Sequence, residues 1–224
     1  MRIGIEKILV LLLTIMGLIL GIYSKSTYTN IMEEEDILDS FETAELAGDW
    51  LSANEEILAD QEYAIKCRVI SGPTYSFRTF TYKVEVLEVF KGSDLNVGDE
   101  INIWRGSWSV RASEKRIDLG YINTLSTEKE YMVFLSEKLD IPEEKYGVVY
   151  AMSGDIIGAP IFCYDDDFER VCAPLSTEGD YGSYVSYSLI KNNEFFASNE
   201  TIMQSAYEYK YRVMSTYDSS YVAP

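Results

Sequence analysis

The sequence contains no histidine in its 224 residues, and this absence narrows the chemistry that the chain can perform. Histidine is the side chain that titrates near neutral pH, and it completes the Ser-His-Asp and Cys-His catalytic arrangements. It is also a frequent nitrogen ligand of zinc. Hydrolases that use a histidine base and zinc sites that use histidine ligands are therefore excluded.

Cysteine is scarce as well, with three residues that lie far apart in the sequence. No C-x-x-C pair is present, so a structural zinc site is not favoured. Cys67 lies on the apolar face of a segment with period-two alternation, which predicts a buried thiol. Cys163 and Cys172 flank a short acidic loop and are a candidate disulfide in an oxidising compartment, although the sequence leaves their bonding open.

Basic residues are few, because 19 Lys and Arg stand against 37 Asp and Glu and give a formal net charge of −18. Phosphate backbones and anionic lipid surfaces repel such a chain, so nucleic acid is not an expected partner. Tyrosine, by contrast, is abundant at 18 residues. Aromatic and β-branched residues favour a folded, strand-rich domain over disorder.

The N-terminus carries an uncharged apolar run from Ile8 to Tyr23, which follows the basic residues Arg2 and Lys7. As a helix this run is about 24 Å long, and the apolar residues before it make a bilayer span possible. The basic residues predict a cytoplasmic N-terminus and a body outside the cell membrane. Because no A-x-A site follows, we expect residues 1–25 to be an uncleaved signal anchor; a cleaved signal peptide and a secreted body are the alternative.

Residues 26–50 include the acidic run from Glu33 to Asp36 and are predicted to form an acidic juxtamembrane linker. Residues 51–224 are numerous enough for one domain with its own core. We expect them to form an extracellular β domain that ends in a helix, because Asn199 is a good helix cap and an apolar stripe follows it.

The most informative strand pattern lies between Phe80 and Val86, where apolar residues occupy every second position. This period is typical of a half-buried strand. The phase changes at Leu87, so either the two faces exchange core for solvent there or one extra residue is inserted as a β-bulge next to Val86. Residues Tyr131 to Leu135 are apolar without alternation, as in a strand that is buried on both faces. A bulged long strand suits a small barrel, so we expect a mainly β fold with flanking helices.

Several segments together resemble the netrin/tissue-inhibitor-of-metalloproteinase-like OB domain. They are Glu55-Glu56-Ile57-Leu58-Ala59-Asp60 before the Tyr63–Val69 strand, the strand from Tyr82 to Gly92 that ends in V-F-K-G, Val97-Gly98-Asp99 before Ile101-Asn102-Ile103, and Leu125 to Leu135 ending in Y-M-V-F-L. The resemblance covers roughly residues 54–137. It implies a five-stranded OB-like Greek-key barrel with a packed helix, here with a C-terminal extension, and a protein-binding role. Metalloproteinase inhibition is not implied, because the family's zinc-chelating N-terminal cysteine has no counterpart here.

Two motifs could carry chemistry. Ser126 and Lys129 match S-x-x-K, a spacing that can place a lysine beside a nucleophilic serine on a helix. Here the tetrad precedes a strand and the companion motifs are missing, so we interpret it as a surface turn and assign no catalytic residue. Asp165, Asp166, Asp167 and Glu169 form the local concentration of oxygen ligands that could bind calcium. A solvated loop tip is the alternative, and no other cofactor is expected.

These observations predict a membrane-tethered extracellular binding or interaction module whose partner is a protein or a cell-wall component. The missing histidine and the resemblance to a binding family both favour this function. The alternative is a cell-surface hydrolase that uses carboxylates alone to act on a glycan, because acidic residues are frequent throughout the chain.

Overall fold

A computed structural model describes residues 4–26, 42–44, 57–76, 79–106, 110–111, 116–117, 119, 122–152, 161–172 and 184–224. The chain divides into two compact units, Met1–Glu35 and Asp36–Pro224. The linker predicted at residues 26–50 and the first residues of the predicted domain lie largely outside the described residues.

The first unit contains helix α1, Ile5–Ser26, which is 22 residues long. Its leucine and isoleucine side chains between Leu9 and Ile22 are exposed. Within the described residues, the structure contains no helix whose length and apolarity would let it cross a membrane. The signal anchor stays a prediction from the sequence.

The second unit is mainly β. In chain order its described strands are β1 (Glu42–Ala44), β2 (Tyr63–Ser76), β3 (Thr79–Lys91), β4 (Glu100–Gly106), β5 (Val110–Arg111), β6 (Arg116–Ile117), β7 (Glu130–Leu135), β8 (Glu137–Lys138), β9 (Val149–Ala151), β10 (Ile161–Cys163) and β11 (Tyr184–Ser186). Its described helices are α2 (Glu143–Tyr146), α3 (Tyr187–Ile190) and α4 (Glu200–Tyr217), together with one helical turn at 57–60. The predicted mainly β fold with helices is confirmed.

Seven strands form one mixed sheet in the order β10-β7-β2-β3-β4-β9-β8. The β4–β9 pair is parallel, and the other neighbouring strands of this sheet are antiparallel. Among the described strands this sheet does not close on itself, because its edge strands β10 and β8 do not pair with each other. The expected closed five-stranded barrel is therefore corrected to an open sheet. A second, four-stranded sheet has the order β11-β1-β6-β5.

Strand β3 confirms both features predicted for it. Its even-numbered side chains from Phe80 to Val86 are buried, and those between them are half-buried. Opposite it, Cys67 of β2 pairs with Val86 while Lys66 pairs with Glu88, so Leu87 is an extra residue in the ladder. The chain accommodates the change of phase with this bulge, and the apolar side chains before it keep facing the core.

Helix α4 packs its apolar face against the outer strands of the large sheet. Asn199 caps it, since its side chain accepts a hydrogen bond from the N–H of Ile202 at 3.0 Å. The rings of Phe162 in β10 and Tyr209 in α4 pack edge to face, with centroids 5.7 Å apart. Each fully buried apolar side chain of this kind stabilises the fold by roughly 1.5–3 kcal/mol. One residue of the buried face, Lys210, is charged.

Candidate functional site

Lys210 lies on the buried face of α4, and its side chain has 0% relative exposure. Its Nζ donates hydrogen bonds to Glu194 Oε2 at 2.7 Å, to Asp166 Oδ1 at 3.0 Å and to the carbonyl oxygen of Asp165 at 3.3 Å. A buried ammonium needs such partners, because an uncompensated charge in the interior is strongly unfavourable. Lys210 thereby ties α4 to the acidic loop and to the segment that precedes α4.

Glu194 is the buried carboxylate of this cluster. Its Oε1 accepts a hydrogen bond from the backbone N–H of Cys163 at 2.7 Å, which links it to β10. Burial raises the pKa of Glu194 to about 7, and the charge of Lys210 opposes this rise. Burial alone would lower the pKa of Lys210, but Glu194 and Asp166 outweigh it and hold the pKa above its usual value.

A second lysine neutralises the outer part of the acidic loop. Lys129 Nζ lies 3.1 Å from Asp165 Oδ2 and 2.5 Å from Asp167 Oδ1, and 4.6 Å from the centre of the Phe168 ring. Partial burial lowers the pKa of Lys129, but the two carboxylates outweigh that effect and raise it. Lys129 is therefore protonated at neutral pH and is unsuited to act as a base.

The S-x-x-K tetrad lies in a turn before β7, as the sequence predicted. The backbone N–H of Ser126 donates to the hydroxyl of Tyr131 at 2.9 Å. Glu128 has a φ of 67°, a left-handed conformation that does not occur inside an α-helix. Ser126 and Lys129 make no hydrogen bond to each other, although the structure describes both residues. The pair thus lacks the contact that would activate a serine.

The four carboxylates of the calcium candidate are engaged by three different partners. Asp165 and Asp167 contact Lys129, Asp166 contacts Lys210, and Glu169 accepts a hydrogen bond from the Asn192 amide. Within the described ranges, no three acidic or cysteine side chains group as metal ligands. Lysines that are distant in sequence contact three of these carboxylates, and the calcium site stays a prediction from the sequence.

The predicted thiols are buried to different degrees. Cys67 and Cys163 are buried and Cys172 is half-buried, and no disulfide joins Cys163 to Cys172, both of which the structure describes. The predicted pairing is thus not observed. Burial raises the pKa of the Cys67 thiol, and burial together with Glu194 raises that of Cys163 to about 12.

We expect iodoacetamide at pH 8 to modify Cys172 in the native chain, because this cysteine is only half-buried. A thiol that is buried and has a raised pKa forms little thiolate, which protects the other two cysteines. Cys67 and Cys163 should react only after unfolding, when all three thiols become accessible. Mass spectrometry of the labelled digest measures this order. A linked Cys163–Cys172 peptide in a non-reduced digest would contradict the free thiol at Cys163.

Two open grooves flank the charged cluster in the described part of the chain. The first, which we call the polar groove, has a volume of about 350 Å³. Its lining residues are Asn123, Thr124, Ser126, Lys129, Asp167, Phe168, Glu169, Lys191 and Asn192. The predicted Ser126, Lys129, Asp167 and Glu169 therefore share one groove, whereas Asp165, Asp166 and the cysteines are not part of its lining.

Asn123 forms a fixed wall of the polar groove. Its side-chain N–H groups donate to the carbonyl oxygens of Lys191 at 2.7 Å and Asn193 at 2.8 Å. Its Oδ1 accepts from the Tyr187 hydroxyl at 2.8 Å, and its own carbonyl oxygen accepts from Arg105 Nη1 at 2.7 Å. With these polar groups satisfied, the wall keeps one conformation.

The second groove, the α4 groove, runs along the helix and has a volume of about 490 Å³. Its lining residues are Arg170, Cys172, Glu200, Met203, Gln204, Tyr207, Glu208 and Tyr211. The Arg170 guanidinium lies 3.7 Å from the centre of the Tyr207 ring and donates to the Tyr211 hydroxyl at 3.0 Å. Tyr211 in turn donates to Asp166 Oδ2 at 2.8 Å, which connects this groove to Lys210.

The sequence reasoning missed Glu194, Lys210 and Asn123. One signal was present for Lys210, since it lies between Ala206 and Val213 on the apolar stripe of α4. A lysine on such a stripe becomes buried, and a buried lysine is almost always paired with an opposite charge. Nothing in the sequence identified Glu194 as that counter-charge.

Comparison with known protein families and with characterised proteins finds no match to this chain. The resemblance to netrin-like OB domains accordingly stays a prediction.

Proposed function

We propose that the chain is a non-catalytic binding module whose body lies outside the cell membrane, tethered by the apolar N-terminal segment. The proposed location of the body is supported by Arg2 and Lys7, which precede the apolar run from Ile8 to Tyr23. Basic residues next to such a run stay on the cytoplasmic side of the membrane. A cleaved segment would give the same module in secreted form. The partner is a protein or a cell-wall component.

The observation that carries this proposal is that the candidate reactive groups form ion pairs with one another. Lys129 is held between two carboxylates, and Lys210 is held between Glu194 and Asp166. The Lys129 contact lowers the pKa of Asp167, so this carboxyl is a poor proton donor. Paired groups of this kind stabilise a surface rather than react, and structural ion-pair networks commonly perturb pKa values.

The two grooves provide the surface that a binding module requires. Their volumes of about 350 and 490 Å³ lie in the range of ligand-binding clefts. The strands of the netrin-like resemblance, β2, β3, β4 and β7, form the centre of the large sheet and supply a rigid support. A relationship to that binding family belongs to the same proposal.

Two measurements on the full-length chain test the proposal. A membrane-impermeant crosslinker added to intact cells should capture a partner, and the purified chain in detergent should show no turnover of glycan or peptide pools. Ser126→Ala and Lys129→Ala should both retain the native fold, because both residues lie in the turn before β7. Hydrolysis that disappears in Ser126→Ala would replace the binding module with an S-x-x-K enzyme, and hydrolysis that disappears in Glu169→Ala would favour the carboxylate-dependent glycan hydrolase.

A further inference from the structure

The polar groove combines charged and neutral hydrogen-bonding groups in a lining that carries no net formal charge. Its cations are Lys129 and Lys191, and its carboxylates are Asp167 and Glu169. Both carboxylates already have a donor, Lys129 for Asp167 and the Asn192 amide for Glu169. A metal cation at these carboxylates, or an anion at Lys129, would have to displace one of these partners. The balanced charge of the lining adds no preference for either sign of ligand.

The same lining keeps hydrogen-bonding capacity for a neutral ligand. In these contacts each carboxylate uses one oxygen, Oδ1 of Asp167 and Oε1 of Glu169, and the second oxygen of each can accept a further hydrogen bond. The side chain of Ser126 is exposed in this lining, where its hydroxyl also interacts with Tyr131. A carboxylate oxygen accepts and a serine hydroxyl donates or accepts, which matches the bonding of hydroxyl groups.

Phe168 contributes an aromatic side chain to a groove that is otherwise polar, and it is half-buried. Ligand sites commonly pair apolar or aromatic surface with a few well-placed polar groups. Ligands with many hydroxyl groups also carry C–H surface that can rest on a ring, so the mixture suits a polyhydroxylated compound.

The walls of the groove are fixed before any ligand binds. The backbone N–H of Glu169 donates to the carbonyl oxygen of Asn192 at 3.1 Å, and the Asn192 side chain donates back to Glu169 at 3.0 Å. Asn123, which also lines the groove, is held by the contacts described above. Preorganised walls reduce the entropy that binding would otherwise lose.

We propose that the polar groove binds a neutral, polyhydroxylated ligand, namely a short stretch of uncharged glycan. This assignment rests on the proposed binding function and selects the cell-wall partner over the protein partner. The formal net charge of −18 agrees with it, because the chain as a whole repels acidic polysaccharides.

The test uses the full-length chain in a zwitterionic detergent without a sugar headgroup. Titration calorimetry with neutral gluco-, manno- and galacto-oligosaccharides should detect binding of at least one of them. Affinity should change less than about twofold between about 0.05 and 0.5 M salt, because screening acts on charged ligands. Heparin and polygalacturonate are the charged probes, and neither should bind more tightly than the neutral series.

Glu169→Ala should weaken the oligosaccharide affinity at least about tenfold, because Glu169 both offers an acceptor and fixes Asn192. Glu208→Ala is the matched control, since it removes one exposed carboxylate from the α4 groove and should leave the affinity unchanged. Melting curves of both variants establish that folding is intact.

Equal loss in both variants, or none in either, would place the glycan elsewhere and overturn the assignment. Capture of a protein partner without any oligosaccharide binding would overturn the assignment of a glycan to the polar groove. The proposed binding module would remain. Cleavage of a bound oligosaccharide would instead overturn the binding module itself.

Discussion

Replacing Lys210 with methionine should lower the free energy of unfolding by about 3–5 kcal/mol, because it leaves the buried carboxylate of Glu194 without its cation. Methionine retains most of the volume of the lysine stem, so the loss reports on charge more than on packing. The side chain of Lys210 is 0% exposed and that of Glu194 is 4% exposed, which leaves little solvent to replace the lost partner. Urea or thermal unfolding of the full chain measures the change.

The loss of unfolding free energy caused by Lys210→Met should be smaller at low pH than at high pH. A carboxyl whose pKa is higher in the folded than in the unfolded chain favours folding below its unfolded pKa, and this contribution is lost as pH rises toward the folded pKa. For Glu194 the ordinary pKa is 4.5 and the pKa in the folded chain is about 7. The variant loses the charge of Lys210, which lowers the pKa of Glu194 in the folded chain. The deficit should therefore be smaller at pH 5, where Glu194 can be buried as a neutral acid, than at pH 8.

Two comparisons show whether burial is the cause. Lys129→Met removes a lysine that also contacts two carboxylates but is 23% exposed, and it should cost less than about 1 kcal/mol. The double variant Lys210→Met/Glu194→Gln should recover most of the loss, since the amide can still accept from the Cys163 N–H. A deficit that is equal at pH 5 and pH 8, or equal for the two lysines, would contradict a buried charge pair.

The local features of the fold could be predicted because they depend on neighbouring residues. Strand β3 alternates between core and solvent, and its bulge at Leu87 follows from the change of phase after Val86. The cap at Asn199 likewise uses a backbone N–H only three residues away. Sheet closure was predicted wrongly, because it depends on which distant strands pair at the edges.

The candidate site depended on contacts that the sequence does not encode locally. The acidic loop was recognised as a concentration of carboxylates, but its counter-charges come from distant lysines. Lys129 lies 36 residues from Asp165, and Lys210 lies 44 residues from Asp166. The sequence therefore shows the carboxylate cluster but not the lysines that contact it. Asn123 gave no sequence signal, because an isolated asparagine is most often a turn residue.

Val84→Asp should unfold the second unit or bring it close to unfolding. Val84 lies in the middle of β3, is 0% exposed, and pairs with Val69 of β2 and Ile101 of β4. An unpaired carboxylate in this position costs several kcal/mol, against a total stability of about 5–15 kcal/mol for a typical domain.

The matched control is Val97→Asp, which makes the same chemical change in the turn between β3 and β4, where the valine is 68% exposed. Surface substitutions of this kind shift stability by roughly 0.5 kcal/mol or less, so this variant should melt with the wild type. Far-ultraviolet circular dichroism during heating compares the two variants with the parent chain. If Val84→Asp melted together with Val97→Asp, the even-numbered face of β3 could not lie in the core, and the register that positions β2, β4 and β7 would have to be reassigned.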